Sequence, residues 1–185
     1  RTLARIGALN GLVEHRRDGL WKIETPHRLE DLPGLDGGDT QIPPPLASMN
    51  AFERLDADFA GTGVTTGRHP MALIREQLHD VTLASDLPQS RNGQDVRIAG
   101  LVICRQRPGT AKGFVFISLE DETGVSNAIV APQLFEQRRL SITQEPFLSI
   151  QGKVQNTRGT TMVQARRIDP LPYHSLGTPV SHDFH

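Results

Sequence analysis

From Val96 to Ile168 the apolar residues fall into five short runs that alternate with polar ones, each bounded by turn residues. Side chains of a strand point to its two faces in turn, so a period of two predicts half-buried strands. The first run spans Val96 to about Arg105, with Val96, Ile98, Gly100 and Val102 on one face. Gly100 is placed to permit the sharp coiling of a small barrel. Pro108-Gly109 and Lys112-Gly113 bound a loop, and a second strand runs from Phe114 to Leu119. Asp121-Glu122-Thr123-Gly124 reads as a turn with glycine at its end, and Val125 to Val130 as the third strand. Pro132 to Leu140 reads as a short helix begun by proline. Phe147 to Gln155 and Thr160 to Ile168 are the fourth and fifth strands, joined through Asn156-Thr157-Arg158-Gly159. Pro170 and Pro172 stop the last.

Upstream the period changes. Leu3, Ile6, Leu9, Leu12 and Val13 recur at helical spacing, interrupted by Gly7 and Gly11. Residues 24–45 carry Pro26, Pro33, Gly34, Gly37, Gly38 and the run Pro43-Pro44-Pro45. That composition buries too little apolar surface to order itself and reads as a linker with polyproline character. Met49, Phe52 and Leu55 mark a further helix, which residues 58–67 interrupt. His69-Pro70 opens another, with Met71, Ile74 and Leu78 as its buried stripe. Leu83 to Gln94 is a polar connector. The predicted fold class is mainly β with a helical N-terminal flank. It consists of a helical connector over 46–94, a five-stranded Greek-key barrel of the OB type over 95–172, and a tail over 173–185. Such barrels mostly bind single-stranded nucleic acid or oligosaccharide across one face.

Composition narrows the choice. A chain of 185 residues admits one full domain and a smaller unit. Its formal net charge of −1 creates no global basic field, so nucleic acid would be held by a local patch. Cys104 is the only cysteine, which excludes intramolecular disulfides and thiolate zinc clusters and points to a reducing compartment. No apolar run approaches the roughly 20 residues of a membrane span, and the N-terminus lacks a signal-peptide core. The chain opens at Arg1 inside an apolar pattern, as a piece of a longer protein would.

Candidate chemistry is sparse. Asp121 and Glu122 form the one tempting acid pair and read better as solvated turn residues. The seven histidines make no HExxH pair, and His182 and His185 fall in the tail. GTGVTTG (Gly61 to Gly67) lacks the Lys-Ser/Thr ending of a phosphate-binding loop. QLF (Gln133 to Phe135) hints at a sliding-clamp peptide, but in the barrel's own helix Leu134 and Phe135 suit the core. The strongest constellation is basic and aromatic. If Ile117 and Leu119 fill the barrel, then Phe114, Phe116 and Ser118 face outward. Rings on such a face suit base stacking, which contributes ~1–3 kcal/mol per base. Arg97 is expected beside them on the outer face of strand one. Arg105, Arg107 and Lys112 are expected to contact phosphates around its loop, and Asn127 on strand three to offer hydrogen bonds. Arg166 and Arg167 read as a solvated face. The competing reading packs the phenylalanines under the connector or against another domain.

The motifs together resemble a known family. RQRPGTAKG (Arg105 to Gly113) followed by LEDETG (Leu119 to Gly124) is similar to the C-terminal OB domain of bacterial error-prone DNA polymerases, relatives of the C-family alpha subunit. LARIGALN (Leu3 to Asn10), HRR (His15 to Arg17) and Leu20-Trp21 resemble the end of that family's helix-hairpin-helix region, here 1–23. ADFAGTGVTTGRHPMALIREQL (Ala57 to Leu78) and SHDFH (Ser181 to His185) resemble its connector and its ending. Ala131 departs, standing where the family often has a bulky aromatic. A similar phenylalanine before the turn stacks on bases in the anticodon-binding OB domains of some aminoacyl-tRNA synthetases, an analogy that supports Phe116 more than Phe114.

The resemblance implies a non-catalytic C-terminal region whose OB domain binds single-stranded template DNA. It implies no cofactor in this segment; magnesium would sit on palm carboxylates of a parent polymerase, N-terminal of Arg1. It implies translesion synthesis, DNA repair and replication in the bacterial cytoplasm, with no membrane. The implied partners are single-stranded DNA and the rest of the polymerase chain, with accessory translesion proteins or a sliding clamp as further candidates. Two other readings remain open: a free-standing single-stranded nucleic-acid-binding module, and a docking module for translesion accessory factors.

Overall fold

The computed structural model describes residues 1–25, 46–157 and 159–171, and the backbone of 182–184. The linker expected over 24–45 therefore lies, from residue 26 on, outside the described residues, as do Arg158 and most of the expected tail. The described residues divide into two compact units, one from Arg1–Thr66 and one from Gly67 onward.

The first unit contains α1 (Thr2–Arg5), α2 (Arg16–Glu24) and α3 (Ala51–Thr62). The buried Arg16–Asp58 ion pair joins α2 to α3, and Arg16 also donates to the Arg5 carbonyl of α1. The apolar repeat from Leu3 to Val13 predicts one helix, but α1 ends at Arg5. Gly7 takes φ +81, and the N–H groups of Gly7 and Ala8 close back on Ala4 and Leu3. This is a glycine-terminated helix end. Gly7 is also needed for space, because a Cβ there would lie 2.7 Å from Arg16 Nε. Asn50 starts α3 with a capping box, exchanging hydrogen bonds with Glu53. α3 then continues to Thr62, past the expected break at 58, and stops at Gly63 in the left-handed region.

The second unit is built on a closed barrel. Its strands are β1 (Asp95–Gln106), β2 (Val115–Asp121), β3 (Gly124–Val130), β4 (Phe147–Thr157) and β5 (Thr160–Pro170). β1 pairs with β2 and β4, β2 with β3, β4 with β5, and the parallel pairing of β3 with β5 closes the ring. This is the five-stranded OB architecture read from the strand order. A short β6 (His182–Phe184) lies parallel to the end of β1. Alternation fills the interior: Val115, Ile117 and Leu119 from β2, Ala128 and Val130 from β3, Ile150, Val163 and Ile168 from β4 and β5. Each large side chain among them contributes about 1.5–3 kcal/mol by leaving water. Gly100 lets β1 coil tightly against β2, since a Cβ there would lie 2.6 Å from the Glu120 carbonyl oxygen.

Two segments complete this core. Helix α5 (Pro132–Gln144) is longer than expected, with non-helical angles at Arg138, and inserts Phe135 and Ile142. Leu134 packs against the same cluster, so Leu134 and Phe135 of the QLF sequence serve the core. The segment read as a polar connector also takes part: Leu87 is buried in the barrel core. Before it, α4 (Pro70–Ile74) packs on β1 and β2 with Met71 completely buried.

Candidate nucleic-acid interface

Outward positions of β2 and β3 make two cross-strand rows with the end of β1. Gln106, Phe116 and Ile129 lie side by side in one, and Cys104, Ser118 and Asn127 in the other. Residues directly opposite share a face, so both rows look away from the buried Ile117 and Leu119. Phe116 is partly exposed at the centre of the first row, and Phe114, also partly exposed, lies just before β2. Ser118 Oγ donates to Asn127 Oδ1 at 2.7 Å. That bond uses one lone pair of the amide oxygen and none of the Nδ2 donors.

A β-bulge decides which β1 residues join this face. Val102 lies opposite Leu119 but Cys104 opposite Ser118, so Ile103 is an extra residue. Beyond it the alternation inverts. Cys104 and Gln106 turn outward, and Arg105, opposite the buried Ile117, turns inward. Arg105 then donates through Nε to the carbonyl of Ile142 and through Nη2 to that of Glu145 at 2.6 Å. A cation on the last carbonyls of a helix is stabilising. Arg105 thus anchors the end of α5. The expected position of Arg97 is corrected. Arg97 lies in the half of β1 that pairs with β4, donating to Ser149 Oγ at 2.8 Å and to the His79 carbonyl, whereas Phe116 lies opposite Gln106.

Arg107 and Lys112 stay at the loop edge of the face. The Arg107 guanidinium lies 4.8 Å from the Phe135 ring centroid and 3.7 Å from a Glu136 oxygen, and is half exposed. Lys112 is exposed in the left-handed region at φ 49, with no ion-pair partner among the described residues. Cys104, Gln106 and Ile129 were not singled out from the sequence. Their membership depends on the bulge and on register, which apolar periodicity does not report.

The acid pair has other work. Asp121 Oδ1 accepts from the N–H of Thr123 and Gly124 and from Thr123 Oγ1, while Oδ2 accepts from the N–H of Ala84. Arg75 grips Glu122 with two hydrogen bonds of 2.6 and 2.8 Å and reaches Asp121 at 3.4 Å. Asp121 is thus a turn organiser, as expected, but a buried one. These carboxylates are taken up by donors and do not fit a magnesium site. Among the described residues there is no group of three or more His, Cys, Asp or Glu that could hold a metal ion. Nor is any helix there long and apolar enough to cross a membrane.

Burial works to raise the Asp121 pKa, yet the bonds from Thr123, Ala84 and Arg75 hold it below the ordinary range. Arg75 does the same for Glu122. Burial pushes His69 down, against the pull of Glu120, Glu122 and Asp121. All three groups bind fewer protons folded than unfolded, so stability is present at high pH and lost as pH falls. The loss begins with His69 below about pH 6.5 and steepens below about pH 4 as the carboxylates protonate. Urea midpoints across this range should fall accordingly, and Asp121→Asn should flatten the part below about pH 4.

Residues 96–171 match the family described as OB-fold nucleic acid binding domain. The chain is also 41% identical over 187 residues to an error-prone DNA polymerase of Corynebacterium efficiens, an alignment covering 98% of the chain. The chain is a homologue of the C-terminal, OB-bearing region of error-prone DNA polymerases. It is similarly 37% identical over 192 residues, 99% of its length, to the error-prone DNA polymerase of Anaeromyxobacter sp. (strain K). It spans only 16–17% of the length of these relatives. Among solved structures, asparaginyl-tRNA synthetase from Pyrococcus horikoshii superposes at TM-score 0.44 and 21% identity, over 56% of this chain and 24% of its own.

Proposed function

We propose that the barrel holds single-stranded template DNA across the β1–β2–β3 face, within a polymerase that copies damaged DNA. The observation that carries this reading is Phe116, partly exposed between Gln106 and Ile129 on the outward face of an OB barrel, beside the row of Cys104, Ser118 and Asn127. A base can stack on that ring while Asn127 and Gln106 meet its edges. Arg107 and Lys112 would neutralise phosphates at the loop edge. Nucleotide transfer, with its magnesium, is assigned to the portion of the longer relatives outside this chain.

Titration with short oligothymidylate at several salt concentrations tests the reading. Each phosphate contact on a single strand adds about −0.7 to the slope of log K against log salt, so two give about −1.4. Lys112→Ala should lower affinity and make that slope shallower by about 0.7. No measurable binding, or an unchanged slope in the variant, would contradict the proposed phosphate contacts. Strong capture of a partner protein with no DNA binding would instead favour the docking role.

A further inference from the structure

The outer surface of β1, β4 and β5, across the barrel from β2, carries a groove of about 590 Å³. Arg97, Gln151, Arg166, Arg167, Asp80 and Asp95 are among its lining residues. A second bulge builds it. Gln151 lies opposite Arg167 but Gly152 opposite Ala165, so Arg166 is an extra residue in β5. The flanking Ala165 and Ile168 both stay buried. Arg166 and Arg167, although consecutive, both emerge on the outer side, their side chains 61% and 63% exposed. Bulges re-aim side chains in this way.

Arg97, Gln151 and Arg167 then form a row across three strands. The Arg97 fork is already oriented by Ser149 and the His79 carbonyl, so little side-chain freedom is left to lose on binding. Asp95 opposes Arg166 at 3.5 Å and Asp169 holds Arg167 at 2.6 Å, but ion pairs on an exposed face contribute little. The chemistry favours a phosphodiester over a protein partner. Protein interfaces are anchored by aromatic and aliphatic groups, and none of the exposed large apolar side chains among the described residues lines this groove. Guanidinium and amide donors are what phosphate oxygens need.

The groove also continues the base-stacking face. The parallel pairing sets Ile129 beside Gln164, and Arg166 lies two residues further along β5 on the same side. Two residues of strand span about 7 Å. We propose that this arginine groove is a second phosphate-binding track, which takes the backbone of a single DNA strand as it leaves the β2–β3 face. The proposal rests on the stacking reading for where the strand starts.

The test compares the 185-residue chain with the double variant Arg166→Ala/Arg167→Ala. Ligands are oligothymidylates of about 5 and about 15 nucleotides, within the range covered by single OB folds. The unaltered chain should bind the longer ligand more tightly and with a steeper salt slope. The double variant should keep its short-ligand affinity and lose about 1.4 of the long-ligand slope. Between about 50 and about 200 mM salt, that difference is about sevenfold in affinity. Asp95→Asn should tighten the long ligand only. An unchanged long-ligand slope in the double variant, an equal loss on the short ligand, or a groove that prefers duplex or an acidic peptide would overturn the proposal. Failure of the stacking reading is separable, because it appears as unchanged short-ligand binding in Phe116→Ala.

Discussion

Replacing Arg16 with methionine should unfold the Arg1–Thr66 unit. The Arg16 guanidinium is buried, donating to Asp58 Oδ1 at 2.6 Å and to the carbonyls of Arg5 and Arg54. It therefore ties α1, α2 and α3 together at one point. Asp58 is equally buried, and its second oxygen accepts from Thr65. Removing the cation leaves a buried carboxylate with one hydroxyl for company, which costs about 3–5 kcal/mol. A unit this small has a net stability of the same order. Hydrogen exchange read by mass spectrometry should show protection lost over α1–α3 and kept in the barrel strands. The double variant Arg16→Met/Asp58→Leu should recover most of it, because an apolar pair of similar volume often matches a buried ion pair. Full protection in the single variant would contradict this role.

Phe116→Ala should weaken single-stranded DNA binding by about 5- to 150-fold, the equivalent of ~1–3 kcal/mol for one stacked base. The salt slope should stay as it was, because a ring releases no counterions. Phe116 lies outside the barrel core, so thermal stability should change far less than for a buried phenylalanine such as Phe135. An affinity within twofold of the unaltered chain, with the barrel folded, would remove stacking from the account.

The sequence and the structure diverge at identifiable places. Strand order, strand limits to within one or two residues and the inward set of β2 were all readable, because period-two burial and the turn residues act locally. Bulges were not readable. The extra residues Ile103 and Arg166 each reset which side chains share a face, and only pairing reveals them. The bulge at Ile103 turned Arg105 inward and brought Gln106 to the face, while the one in β5 aimed Arg166 and Arg167 together. Leu87 was missed for another reason. A single leucine among polar neighbours has no period, yet one apolar side chain is enough to complete a barrel core. Asp121 was read correctly as a turn residue from the motif, but its burial follows from Arg75 and the Ala84 N–H, 46 and 37 residues away in sequence.

Backbone amide chemical shifts of the 15N-labelled chain, followed as oligothymidylate is added, test the central claim most directly. The account predicts that the largest changes fall on Cys104, Gln106, Phe116, Ser118, Asn127 and Ile129, with Lys112 at their edge and the interior of α3 unmoved. Changes confined to other surfaces, with these residues silent at saturation, would contradict it.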